Sequence, residues 1–288
     1  MRIGILDYMT IIHPKCATFN SVFIQTYANC LATQSHPKIR NVRNPHTFSK
    51  KIGIIVFVCY NQDMETYEIK PVAHIYTPFR QKFGIPRQSG RVNAQGRIVF
   101  TPEFRSPDAL RGIEGFSHIW LIFDFSKSHR DEWSSTVRPP RLGGNARMGV
   151  FATRSPYRPN SLGLSLVRLV EVKRTKDEGD VLIVEGVDLL DGTPIYDIKP
   201  YLATDVKADA MFGFSQECDS HRLDVNDEKL LAVSDESVRA QIRECIAQDP
   251  RPAYQDDGRE YGMQFDCYNV KFVVKDDVAT VTGVEKID

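Results

Sequence analysis

Residues 162–175 read LGLSLVRLVEVKRT. Leu162, Leu164, Leu166, Val170 and Val172 fall on one period-two series interrupted only by Arg168, a period of two that suits a strand with one apolar face and does not suit a helix. The neighbouring stretches share that character. GIEGFSHIWLIFDFS (112–126) mixes aromatic and branched residues without helical spacing, as a buried strand does. YEIKPVAHIYTPF (67–79) alternates loosely and stops at a Pro turn, GRIVFTPEF (96–104) is β-rich behind a glycine, and MGVFAT (148–153) adds a short run. DVLIVEGVDLLDGTPIYDIKPYL (180–202) closes the series. About six strands separated by turn residues, with no useful helix between them, predict a mainly β fold, an antiparallel barrel or sandwich.

Beyond about residue 205 the pattern changes. SDESVRAQIRECIAQDPRPAY (234–254) has a Ser/Asp cap, apolar residues at Val238, Ile242 and Ile246, and an Asp-Pro stop, which predicts a helix. YGMQFDCYNVKFVVKDDVATVTGVEKI (261–287) then alternates as a hairpin with Asp276-Asp277 in its turn. The expected organisation is a β domain over 64–205 and a small C-terminal α+β domain over 206–288. Residues 1–63 show no sustained period and carry seven Lys/Arg against Asp7 and Asp63 only. A targeting segment, an accessory domain or sequence upstream of a true start at Met64 would each account for them, and the last is the favoured expectation.

Composition narrows the function classes. Lys+Arg and Asp+Glu both number 37, so any nucleic-acid contact comes from a local patch and not from global basicity. The six cysteines form no Cys-x-x-Cys pair and no zinc-spaced cluster with histidine, which points to reduced thiols and no metal site. IGIIVFVCY (52–60) is the longest apolar run and falls far short of the roughly 20 residues that span a bilayer. A soluble, cytoplasmic protein is expected.

Three clusters carry candidate chemistry. RQKFGIPRQSGRVN (80–93) sets basic residues on a Gly/Pro loop, and RPPRLGGNARMGVFATRSPYRPN (138–160) holds Arg138, Arg141, Arg147, Arg154 and Arg158. Arginine on rigid loops suits phosphate, which its planar fork binds bidentately, while Tyr157 and Phe151 offer stacking surface. DLLDGTPIYDIKPY (188–201) surrounds a turn with Asp188, Asp191 and Asp197, although Asp191-Gly192 is also ordinary hairpin chemistry. His74 and His118, inside β runs, read as packed residues more than as bases. No phosphate-binding glycine loop, nucleophile elbow or metal cluster is present, so residues alone lead to an anion- or RNA-binding β domain and not to a reaction.

The stretch PPRLGGNARMGVFATRSPYRPNSLGLSLVRL (139–169) resembles the signature of the TsaA-like, TrmO-type family of tRNA methyltransferases. DALRGIEGFSHIWLIF (108–123), DLLDGTPIYDIKPYL (188–202), AQDPRPAY (247–254) and NVKF (269–272) resemble further segments of it in order. The resemblance implies a β-barrel enzyme that uses S-adenosylmethionine, acts as a homodimer with the cofactor near the interface, and methylates N6 of threonylcarbamoyl-adenosine beside the tRNA anticodon. It also implies cofactor contacts at Ser89, Gly90, Arg91, Arg154, Leu164, Glu185, Gly186, Val187 and Asp188. A further contact falls at Ser126 and Lys127, where relatives often carry His-Gln. On this reading Arg154 takes the cofactor carboxylate and Asp188 a hydroxyl or amine. Asp191 or Asp197 would accept the acceptor's proton. Arg138, Arg141, Arg147 and Arg158 would hold anticodon-loop phosphates, with Arg251 and Arg259 extending the RNA surface. A non-catalytic RNA- or nucleotide-binding barrel, or a methyltransferase with another acceptor, are the rival readings.

Overall fold

The computed structural model describes residues 66–139, 142, 146–216, 221–252 and 258–287; the expectations for residues 1–63 and for Arg141 lie outside them. Six strands close into an antiparallel barrel: β1 (Ala73–Tyr76), β2 (Gln95–Phe100), β3 (His118–Asp124), β6 (Leu162–Thr175), β7 (Gly179–Glu185) and β8 (Thr193–Pro200). Around the barrel they run β1-β2-β7-β6-β3-β8, and β8 returns to β1, so no edge of the sheet is left open. A two-stranded ribbon, β4 (Thr136–Val137) with β5 (Met148–Gly149), stands apart from the barrel sheet. Ala73, Ile75, Ile98, Ile119, Leu121, Leu182, Val184 and Ile195, all fully buried, fill the interior.

Strand β6 faces the opposite way from its leucine stripe. Gly163, Ser165, Val167 and Leu169 point inward, while Leu162 and Leu164 are exposed. The reason lies across the β3–β6 pair, where Gly163 stands opposite Phe123. A Cβ at Gly163 would lie 2.2 Å from the Phe123 ring, so the inward position at that level admits no side chain. A register shift between Leu169 and Glu171 then re-aims the strand's second half.

The C-terminal part forms a four-stranded sheet ordered β10-β11-β12-β9, with β9 (Asp224–Asn226), β10 (Glu260–Phe265), β11 (Tyr268–Lys275) and β12 (Val278–Lys286). Asp276 and Asp277 form the β11–β12 turn with φ of 50° and 60°, the left-handed pair that a tight two-residue hairpin requires. The helix α1 (Glu236–Ala247) begins where Asp235 accepts the N–H groups of Ser237 and Val238, and it buries Ile242, Cys245 and Ile246. The parallel pairing of β9 with β12, bridged through α1 and the hairpins, goes beyond the sequence reading.

The β1–β2 loop packs on this sheet. Phe79 meets Phe265 edge-on at 5.5 Å, and Phe83 stacks on Tyr261 and Phe272. Arg87 donates to the carbonyls of Asp249 (3.2 Å) and Arg251 (2.8 Å). The loop is thus held at both ends before it reaches residues 88–91.

Candidate functional site

A cleft of about 790 Å³ opens where β3 ends, β6 begins and β7 gives way to the acidic turn. Phe123, Phe125, Leu162, Leu164 and Leu189 supply its apolar wall, and Lys82, Arg87, Lys127, Arg154 and Arg158 supply its cations. Asp124 and Asp188 are the carboxylates that line it. The volume is that of a pocket enclosing a ligand of cofactor size.

Asp188 is the most perturbed group in the cleft. It accepts from the Ser165 hydroxyl at 2.6 Å and from the backbone N–H groups of Ser89 and of its own residue. Burial nevertheless pushes its carboxyl up to about 6, because those hydrogen bonds and the charge of Arg154 recover only part of the lost hydration. The inward turn of β6 serves this contact, since Ser165 is buried and reaches Asp188 from inside the barrel.

Glycine brings the loop of residues 88–91 against the turn. Gly90 N–H donates to the Gly186 carbonyl at 2.8 Å, with φ of 75° and 79° at the two residues. A Cβ on Gly186 would lie 3.1 Å from Gly90 backbone atoms, so only glycine fits at that crossing. The far side of the cleft is the segment 150–160. Arg154 Nη1 donates to Gln88 Oε1, and Arg158 Nη1 donates to the Thr153 carbonyl at 3.2 Å. Asp124 pairs with His129 Nε2 at 2.7 Å, and Lys82 Nζ donates to Ser128 Oγ at 3.1 Å, which shapes the rim after β3.

The comparisons with known proteins bear directly on this geometry. Residues 74–206 match the tRNA-methyltransferase O N-terminal domain, and residues 221–287 match the TrmO C-terminal domain. The tRNA (adenine(37)-N6)-methyltransferase of Escherichia coli K12 is 41% identical over 225 residues, spanning 74% of this chain and 95% of that protein. The chain belongs to the tRNA-methyltransferase O family. The human tRNA (adenine(37)-N6)-methyltransferase is 39% identical over 154 residues, half of this chain and 33% of its own length. The crystal structure of TrmO from P. aeruginosa superposes with a TM-score of 0.62 at 32% identity, covering 78% of this chain and 99% of that one. The closed antiparallel barrel and the few helices expected from the sequence are those of the TrmO fold.

Within this TrmO-family chain the sequence-predicted site residues divide. Ser126, Lys127, Arg154, Leu164 and Asp188 line the cleft, and so does Arg158, expected at the RNA. Ser89 and Gly90 act on the cleft through Asp188 and Gly186, and Arg91 is half-buried just beyond them. Val187 is fully buried in the barrel core. Glu185 turns away from the cleft to Gln95 and Arg168, both at 3.2 Å.

The two aspartates expected to take a proton have other partners and are not among the lining residues. Asp191 Oδ1 accepts the Thr77 N–H at 2.9 Å, which ties the acidic turn to the end of β1. Asp197 accepts the Ile198 N–H and pairs with Lys199 at 2.7 Å. His118 is half-buried beside Ser117 and Tyr201, as a packed residue.

Arg251 requires a correction. It is buried and forms an ion pair with Asp249 at 2.8 Å, so it does not present itself to RNA. The cause is local: Asp249 adopts φ of 47°, the chain folds back, and the guanidinium satisfies a carboxylate within the same turn. Arg138, Arg147 and Arg259 are exposed, as an RNA contact demands. Phe123, Phe125, Asp124 and Ser165 were not singled out in the sequence; their one visible signal was the aromatic and small-residue content of 123–125 and 163–165. Among the described residues no cluster of His, Cys, Asp and Glu could hold a metal ion, and no helix is long and apolar enough to cross a membrane.

Proposed function

We propose that this chain is an S-adenosylmethionine-dependent tRNA methyltransferase acting on N6 of the adenosine immediately 3′ of the anticodon, in its threonylcarbamoyl form. The observation that carries the reading is the cleft itself, with the Ser165-held Asp188 carboxylate and the Arg154 guanidinium on one apolar-walled space.

The residues suit the cofactor. A desolvated carboxylate beside an apolar wall complements a ligand bearing hydroxyls, an amine and a sulfonium, and Arg154 complements the ligand's own carboxylate. Phe123, Phe125 and Leu164 offer the flat apolar surface an adenine takes. When bound, the cofactor supplies a methyl group activated on sulfur. Asp188 would hold its polar edge and Arg154 and Lys127 its anionic end, with the aromatic wall screening the methyl group from bulk water. Binding would bring the acceptor nitrogen into line, and the proton that nitrogen loses on methylation would pass to water at the cleft mouth. Arg138, Arg147, Arg158 and Arg259 then position the anticodon loop through its phosphates.

The outward leucines support the assembly that the family resemblance implies. Leu164 is at once exposed and part of the cleft wall, so a second copy covering β6 would place the cofactor close to the interface of a homodimer. A cytoplasmic location accords with a tRNA substrate.

The test is calorimetric titration of S-adenosylmethionine combined with methyl transfer to tRNA that carries or lacks the threonylcarbamoyl group. Binding with transfer only to the modified tRNA supports the reading. Transfer to unmodified tRNA alone would replace the acceptor, and RNA binding indifferent to the cofactor would leave a non-catalytic barrel.

A further inference from the structure

The β4–β5 ribbon places two large aromatic side chains together on the surface. Thr136 pairs with Gly149, and the ladder continues as Val150 N–H donates to the Ser135 carbonyl at 3.0 Å. Trp133, just before β4, and Phe151, just after β5, therefore face each other. Their ring centroids are 6.3 Å apart with planes inclined by 33°. Trp133 is 54% exposed and Phe151 73%.

These rings are not a frayed end. Val150, next to Phe151 in the chain, is buried, and Thr153 closes the turn onto the Val150 carbonyl through both its N–H and its hydroxyl. Ser134 Oγ donates to the Thr136 carbonyl at 2.7 Å on the other side. An anchored backbone thus holds two aromatic faces in water, an arrangement with a cost in apolar hydration and no return inside the monomer.

We propose that Trp133 and Phe151 form a stacking platform for the nucleobase that flanks the target adenosine. This rests on the tRNA reading given above and adds to it the element that holds the loop open. Two observations select RNA as the occupant. Phe151 also lines the cleft, so a base on the platform lies at the mouth through which the target must enter. The same ribbon carries exposed Arg138 and Arg147, the latter oriented by Thr136 Oγ1 at 3.1 Å, which supplies positive charge beside the aromatic surface. Basic side chains flanking a stacking surface are the arrangement that binds single-stranded nucleic acid without demanding a particular base.

The chain has two tryptophans, which allows a direct reading. Trp120 lies on β3 and donates to Asp205 at 3.2 Å. In the full-length Trp120→Phe variant Trp133 is the sole tryptophan, and titration with an anticodon stem-loop RNA is expected to quench its fluorescence. In kinetics, Trp133→Ala is expected to raise KM for tRNA about tenfold with the cofactor Kd unchanged, while Trp133→Phe restores most of the loss. Methylation of tRNA by the wild type, with Trp133 emission unmoved in the Trp120→Phe variant and the Trp133→Ala KM unaltered, would overturn the platform alone. Dissociation of a dimer by Trp133→Ala, seen by sedimentation with KM for tRNA unchanged, would overturn it by assigning the rings to a second copy of the chain. A wild type that neither binds nor methylates tRNA would remove the reading beneath it, and the platform with it.

Discussion

Ser165 donates its hydroxyl to the Asp188 carboxylate across 2.6 Å, joining the inward face of β6 to the turn that follows β7. The bond holds a carboxylate in a place where burial has raised it to about 6. Since the folded state binds this proton more tightly than the unfolded chain, ionising Asp188 destabilises the fold as pH rises from about 4 through about 6. Asp188→Asn is therefore expected to be more stable than wild type at pH 8, by about 1–3 kcal/mol, with the gap closing toward pH 4. Urea unfolding at the two pH values measures it. The same substitution removes S-adenosylmethionine binding, and wild-type affinity falls below pH 6 as the acceptor carboxylate is protonated.

Arg154 stands at the mouth of the cleft, bonded to Gln88. Arg154→Ala is expected to weaken cofactor binding by about 1.5–3 kcal/mol, the range for a hydrogen bond to a charged group. Calorimetry should record this without a matching change in thermal stability, because the side chain is exposed.

Gly163 leaves room for the Phe123 ring, which itself packs edge-on against Phe125 at 5.0 Å. Gly163→Ala drives a methyl group into that ring and is expected to cost about 1–3 kcal/mol in chemical denaturation. Because both phenylalanines line the cleft, KM for the cofactor should rise with it.

Arg251 and Arg259 separate fold from RNA contact. Burial alone would raise the Asp249 carboxyl, and the Arg251 hydrogen bonds and charge outweigh it and hold it below the usual range. Arg251→Met removes that partner from a buried pair and is expected to cost about 3 kcal/mol of stability. Asp249 keeps its stabilising effect above the ordinary carboxylate pKa and loses it as pH falls through its own lowered value, so the variant's deficit shrinks in acid. Arg259→Ala should leave the melting temperature in place and reduce the salt slope of tRNA binding by about 0.7–0.9.

The strands were legible because alternation survives wherever one face of a sheet is buried, as from Ile119 to Phe123. The direction of that alternation was not legible in β6. Its leucines look like a core face, and only the requirement of Phe123 for an empty position opposite it turns them outward. The helix from Glu236 to Ala247 announced itself through Asp235 and the Asp-Pro stop. The ribbon of β4 and β5 is two residues deep, too short for any period to show.

For the site, residue type was visible and surroundings were not. Asp188 and Asp191 sit three positions apart in one acidic run, yet one carboxylate is desolvated against the cleft and the other caps the Thr77 N–H. Arg251 and Arg259 look alike in sequence, and the left-handed backbone at Asp249 decides that only the first is buried.

The central claim is the reaction, and the direct measurement is the mass of nucleosides released from tRNA after incubation of the full chain with methyl-labelled S-adenosylmethionine. The account predicts one labelled methyl on threonylcarbamoyl-adenosine and on no other nucleoside, abolished by Asp188→Asn. Label on a different nucleoside, or none at all from a folded protein that binds the cofactor, would contradict it.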